Sequence, residues 1–187
     1  MSRRSQWVAI AAGLLLLLGD PALERVLGWV EAKRAAGLPN DTPRIAAVLL
    51  ATNPSLGSLT SQRIAAAVLR CSREQNLPAD LVLAVLLVES SARPAARSAK
   101  GAIGLMQVMP HMFDELSLPG NVAHIEANIE AGCLLLADNI RRLGEEDGVS
   151  AYFWGRRIRG QRYLRRVRTV LRDLGGRPIE EPLRGRG

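Results

Sequence analysis

The sequence predicts a mainly α-helical chain, on three observations. Apolar residues recur at spacings of three and four in several separate stretches, no alternating strand pattern persists, and helix-opening and helix-closing residues punctuate the stretches. A length of 187 residues with 48% apolar side chains suits one globular domain with extensions better than two full domains.

At the N-terminus Arg3 and Arg4 precede an uncharged run from Trp7 to Leu18, which ends before Asp20 and Pro21. A run of 12 residues fits the apolar core of an export signal, whereas a spanning helix needs ~20. Residues 1–20 are therefore expected to be a signal peptide. Gly19 to Ala22 make a poor cleavage site, so an uncleaved anchor stays open, with a buried N-terminal helix as the structural alternative. No cysteine lies near the end of the run, so lipoprotein processing is not indicated.

Residues 21–58 read as a helical lead-in and linker. Leu23, Val26, Leu27 and Val30 form a short amphipathic repeat, Gly37 to Asp41 a polar break, and Thr42-Pro43 opens another apolar stretch. Asn53-Pro54-Ser55-Leu56-Gly57-Ser58 is the strongest loop signal in this third of the chain, and the domain boundary is expected there, leaving residues 59–174 as the domain.

Within that domain Ile64, Val68 and Leu69 repeat at helical spacing before Asn76-Leu77-Pro78 interrupts. Asp80 to Ser90 is an almost wholly apolar helix that has to be buried on most sides. Ser91 to Ile103 reads as a loop, and Pro110 opens a short helix on which Asp114 and Glu115 are expected at the surface. A long amphipathic helix follows from about Ile125 to Leu143, closed by Gly144 to Val149. The last helix, Arg162 to Leu174, sets Tyr163, Leu164, Val167 and Leu171 against a face of arginines, and residues 175–187 are expected to be a disordered basic tail.

The net charge of +7 is local. Eleven arginines against three acids between Arg156 and Gly187 make that segment +8 and leave the rest near −1. With 4% aromatic residues and no nucleic-acid motif, nucleic acid is not an expected partner. The arginines, Arg165, Arg166 and Arg168 among them, fit a solvated face, an anionic envelope polymer or a membrane surface. Cys71 and Cys133 lie on different predicted helices and either pair in an oxidising compartment or stay as buried thiols. His111 and His124 have no partner pattern, so no metal site and no cofactor is expected.

The chemistry concentrates at Leu86-Leu87-Val88-Glu89-Ser90. On a helix Val82, Val85 and Leu86 share the face of Glu89, so the carboxyl looks over an apolar surface at the negative end of the helix dipole. Both effects disfavour the ionised form, and a carboxyl kept protonated near neutrality is what a departing glycosidic oxygen needs. A short way on comes Gly101-Ala102-Ile103-Gly104-Leu105-Met106-Gln107, then Asn128-Ile129 with Gly132 and Leu135, then Ala151-Tyr152 with Gly155.

Taken in order over roughly Ser61 to Leu174, these four motifs resemble those of the bacterial lytic transglycosylases of the soluble, goose-lysozyme-like type. The resemblance implies a lysozyme-like helical fold with a glycan-binding groove, and a substrate, the glycan strands of peptidoglycan. It implies that Glu89 is the catalytic acid and base, cutting between N-acetylmuramic acid and N-acetylglucosamine and closing a 1,6-anhydro ring without water. A second carboxylate is then not required, because the substrate's own acetamido oxygen stabilises the anomeric carbon. A hydrolase on the same scaffold and a non-catalytic peptidoglycan-binding scaffold are the alternatives.

Substrate contacts are expected from Ser90, Gly104, Met106, Gln107 and Tyr152, with Tyr152 donating to Glu89. A core role for Met106, a helix-end hydrogen bond for Ser90 and tight turns at Gly101 and Gly104 are the plain readings beside these. Where the family commonly has Asn after Tyr, this chain has Phe153 and Trp154, expected to be core rather than sugar-stacking. The enzyme type implies a periplasmic or secreted location, with membrane association through the N-terminus if the signal stays uncleaved. Such enzymes often serve a secretion or conjugation apparatus.

Overall fold

The structure, a computed structural model, describes residues 41–176. The expected signal or anchor, the lead-in as far as residue 40 and the tail from residue 177 lie outside the described residues. The chain between them forms helices α1 (Thr42–Thr52), α2 (Gly57–Gln75), α3 (Ala79–Ser90), α4 (Pro110–Glu115), α5 (Ile125–Leu143), α6 (Glu145–Trp154) and α7 (Arg162–Asp173), with one 3-10 turn at Pro54–Leu56. Among the described residues no strand forms, only isolated bridges pairing Ile103 with Arg97 and with Val108.

The central element is α3. Its side chains from Leu81 to Leu86 are each at most 1% exposed, so the apolar run is enclosed on all sides, by α2 on one flank and α7 on another. The two breaks around it have local causes. Asn76, left-handed at φ 52°, ends α2, and Pro78, with no N–H to give, stands at the start of α3. At the other end the chain leaves α3 through left-handed Ser91 and Ala92, at φ 51° and 57°.

The long helix α5 lays Ile129, Cys133, Leu136 and Ala137 into the core against α2. Gly144 to Val149, expected to close it, does so only at Gly144: α6 starts at Glu145 and folds back along α5. That antiparallel approach needs Gly148, where a Cβ would stand 2.5 Å from the Ile140 Cα. Helix α7 buries Tyr163, Leu164, Val167 and Leu171 against α3 and holds α6 through Arg168, whose Nη2 lies 3.4 Å from a Glu146 carboxylate oxygen.

Across the loop at Asn53–Ser58, α1 puts Ile45, Ala46 and Leu49 into the same core as α2. That loop holds the 3-10 turn between the two helices, and its Asn53 Nδ2 donates to the Ala92 carbonyl over 2.9 Å and so braces the turn that follows α3.

Cys71 of α2 and Cys133 of α5 form a disulfide, both buried, with Cα atoms 6.3 Å apart and a sequence separation of 62. Closing a loop of that size stabilises the fold by roughly 2–4 kcal/mol. Thermal unfolding with and without reductant should show a lower midpoint for the reduced chain and the same loss in a Cys71→Ala/Cys133→Ala variant. An unchanged midpoint would mean two packed thiols.

Candidate active site

Glu89 sits in the last turn of α3 and lines an open cleft of about 600 Å3. The segment from Arg93 to Arg97, Gln107, Asn53 and Ser55 line the same cleft. Glu89 is the only carboxylate among these lining residues. Burial pushes its carboxyl above the ordinary value of 4.5; the Tyr163 hydroxyl and the Arg166 charge pull the other way without overcoming the burial.

Both of those groups come from α7. The Tyr163 hydroxyl is buried and turned to the Glu89 carboxyl, short of a well-formed hydrogen bond and with no other acceptor in reach. Burial first, and then the nearby carboxylate, hold the Tyr163 phenol in its neutral form. Arg166 donates from Nη2 to the Val88 carbonyl at 3.2 Å, which places its charge beside the acid without an ion pair of close geometry. Sequence periodicity had placed Tyr163 on the apolar face of α7; the available signal was one hydroxyl among aliphatic residues in a chain with few aromatics.

The Gly104 to Gln107 run is shaped by Asn128 on α5. Its buried carboxamide accepts from the Met106 N–H at 2.8 Å and donates to the carbonyls of Ile103 at 2.9 Å and Val122 at 2.8 Å. Gly104, at φ +81°, has no room for a side chain, since a Cβ would stand 2.5 Å from the Asn128 amide nitrogen. The Met106 carbonyl accepts from the Tyr152 hydroxyl at 2.8 Å, and its side chain fills the space that a Cβ on Gly132 would take. Gln107 follows in a left-handed conformation, φ 49°, unusual for a residue with a side chain. It is held by its Nε2 donating to Gly104 O at 2.9 Å and Ala96 O at 3.2 Å.

Of the residues expected to touch substrate, the structure therefore brings only Gln107 to the cleft with Glu89. With its amide nitrogen bound to the protein, Gln107 offers an oxygen rather than a donor. Ser90 is buried and donates to Leu86 O at 3.2 Å, the bond of a helix end. Met106 is fully buried and belongs to the core, and Gly104 lies under Asn128 rather than at the surface. Tyr152 gives its proton to Met106 O instead of Glu89, although it is close enough for the Glu89 charge, after burial, to raise its pKa. Gly101, at φ +92° with open space where a Cβ would be, is a turn residue.

Phe153 also departs from expectation. It is 53% exposed rather than core, with one face stacked on the Tyr163 ring at 5.0 Å and its edge against Trp154. Trp154 is partly buried, its indole N–H donating to Gly160 O at 2.9 Å. Asp114 and Glu115 are exposed, as expected. Among the described residues no group of His, Cys, Asp and Glu is arranged to hold a metal ion.

Two measurements follow from this geometry. Asn128→Ala strands the Met106 N–H and the Val122 carbonyl, while the Ile103 carbonyl keeps the Val108 N–H; each buried orphan costs about 1–3 kcal/mol, so a loss of roughly 3 kcal/mol in denaturant unfolding is expected, with no loss counting against the Asn128 assignment. Glu89, with its folded pKa above 4.5, contributes its full share to stability below the unfolded value and loses it as pH rises through the folded value. Glu89→Gln, neutral throughout, should match the wild-type melting temperature near about pH 4 and exceed it increasingly toward neutrality. A constant difference would contradict a buried carboxyl.

Three likenesses place this arrangement among known proteins. The transglycosylase SLT domain family matches residues 67–169, more than half of the chain. A transglycosylase of Enterobacteria phage PRD1 is 29% identical over 124 residues, covering 61% of this chain and 46% of that protein. The X-ray structure of an inactive mutant of the lytic transglycosylase Slt from Pseudomonas aeruginosa superposes with a TM-score of 0.50 at 17% identity, over 90% of this chain and 36% of that one, a likeness of fold. This chain thus spans less than half the length of either relative. The matched segment holds Glu89, the Gly104–Gln107 loop, Asn128, Tyr152 and Tyr163 together, and the chain belongs to the transglycosylase SLT domain family.

Proposed function

We propose that this protein is a peptidoglycan lytic transglycosylase whose single acid and base is Glu89. The observation that carries the reading is a lone carboxyl, held toward its protonated form by burial, at the wall of an open cleft in which no second carboxylate stands. Membership of the transglycosylase SLT domain family supports it.

In this mechanism Glu89 gives its proton to the oxygen linking N-acetylmuramic acid to N-acetylglucosamine as the C1–O bond breaks. The muramic acid's acetamido oxygen stabilises the electron-poor C1, the part that a second enzyme carboxylate takes in many other glycosidases. The C6 hydroxyl then attacks C1, its proton passes to the Glu89 carboxylate, and the 1,6-anhydro ring closes with the acid restored. No water enters. The raised pKa suits the first step, and the neutral Tyr163 hydroxyl beside the carboxyl suits the second, where it can donate to the ionised form. The Gln107 carbonyl is suited to accept the N–H of an acetamido group.

We place the action in the periplasm or outside the cell, where peptidoglycan lies and where a disulfide such as Cys71–Cys133 persists. Among the described residues no helix is long and apolar enough to cross a membrane. The export or anchoring role we propose for residues 1–20 rests on their apolar run in sequence.

Mass spectrometry of muropeptides released from purified peptidoglycan tests the reading. Products lighter by one water than those of a muramidase are expected, with release at least about 100-fold slower in Glu89→Gln. Reducing-end products would make the enzyme a hydrolase. Equal release by the two proteins would remove Glu89 from the chemistry.

A further inference from the structure

Next to Glu89 lies a second cleft, of about 400 Å3, that the proposed reaction does not use. Leu87 and Val88 of α3 and Val170 of α7 give it an apolar floor, and Arg162, Arg165 and Arg166 stand along it. All three arginines are exposed. Arg168, farther along α7, is taken up by Glu146, but no ion pair among the described residues involves Arg162 or Arg165. Arg166 connects the two clefts: it donates to the Val88 carbonyl, and its charge reaches the Glu89 carboxyl.

Aliphatic floor and cationic wall together define the ligand. A sugar would be matched by amides, carboxylates or an aromatic face, and this cleft is lined by none of them. A nucleic-acid strand would be matched by stacking rings, which are also absent from the lining. Guanidinium groups donate paired hydrogen bonds to carboxylates, and Leu87, Val88 and Val170 cover the alkyl part of a chain that carries them.

We propose that this cleft receives the acidic peptide stem of the muramoyl residue being cleaved, with stem carboxylates on Arg162 and Arg165 and the aliphatic part of the stem on Leu87, Val88 and Val170. The assignment rests on the reading of Glu89 as a peptidoglycan-cleaving acid. It adds to that reading a reason for substrate selection: Val88 lines this cleft and Glu89 the other, one residue apart, so a peptide held here positions the sugar that bears it.

The test uses the full chain carrying Glu89→Gln, with soluble glycan strands in two forms, one with acidic stems and one with the stem carboxylates amidated. At low salt the acidic strands should bind about three- to tenfold more tightly, a range set by exposed charge pairs. Adding Arg162→Gln/Arg165→Gln should abolish that ratio while leaving the amidated strands bound as before. Equal affinity for the two strand forms before the arginines are changed, or an equal loss on both after, overturns the proposal. So does binding to phosphatidylglycerol vesicles that the arginine changes abolish while the strand ratio stays the same, since the cleft would then serve a membrane. If neither strand form binds, the peptidoglycan reading itself has failed, and a titration with free stem peptide decides the cleft. Shifts at the Val88 and Val170 methyl groups that vanish in the arginine variant sustain it, and an absence of shifts overturns it.

Discussion

Leu81 to Leu86 of α3 have no solvated face, and this is the constraint around which the molecule is arranged. A helix that is apolar all round cannot rest on one partner, so α2 and α7 enclose it and the remaining helices close over them. The carboxyl of Glu89 is carried into partial burial by the same helix. Its raised pKa is thus a consequence of the core, since the side chain emerges one turn beyond six enclosed residues.

Around that acid the chain is fixed by a small number of buried polar contacts. Asn128 makes three hydrogen bonds, with Ile103, Met106 and Val122, and Tyr152 provides a fourth to the Met106 carbonyl. Gly104 and Gly132 are the places where side chains are missing so that these contacts can close. The motif residues around Met106 are therefore mostly framework, and what they frame is the position of Gln107 in the cleft that Glu89 lines.

Helix α7 is the element with two faces of consequence. Its apolar side delivers Tyr163 to Glu89, and its charged side leaves Arg162 and Arg165 in the open beside the second cleft. The strong basic character of the C-terminal part of the chain, read as a diffuse property of sequence, acquires a location in this way. Phe153, exposed and stacked on Tyr163, covers one face of the ring whose hydroxyl meets Glu89.

The sequence by itself determined the mainly helical fold, the burial of α3, the long α5, the amphipathic α7 and the singular position of Glu89. Each follows from periodicity or from a run of one residue type, information that is local along the chain. It also carried the family, through four short motifs in order. Only the tertiary structure decided that Asn53 braces the turn after α3, that Ser90, Gly104 and Met106 face inward, and that Tyr163 rather than Tyr152 faces the acid. These are contacts between residues far apart in sequence, such as Glu89 and Tyr163. Helical spacing shows which face of a helix is buried, but the group met on that face is set by how the helices pack against one another.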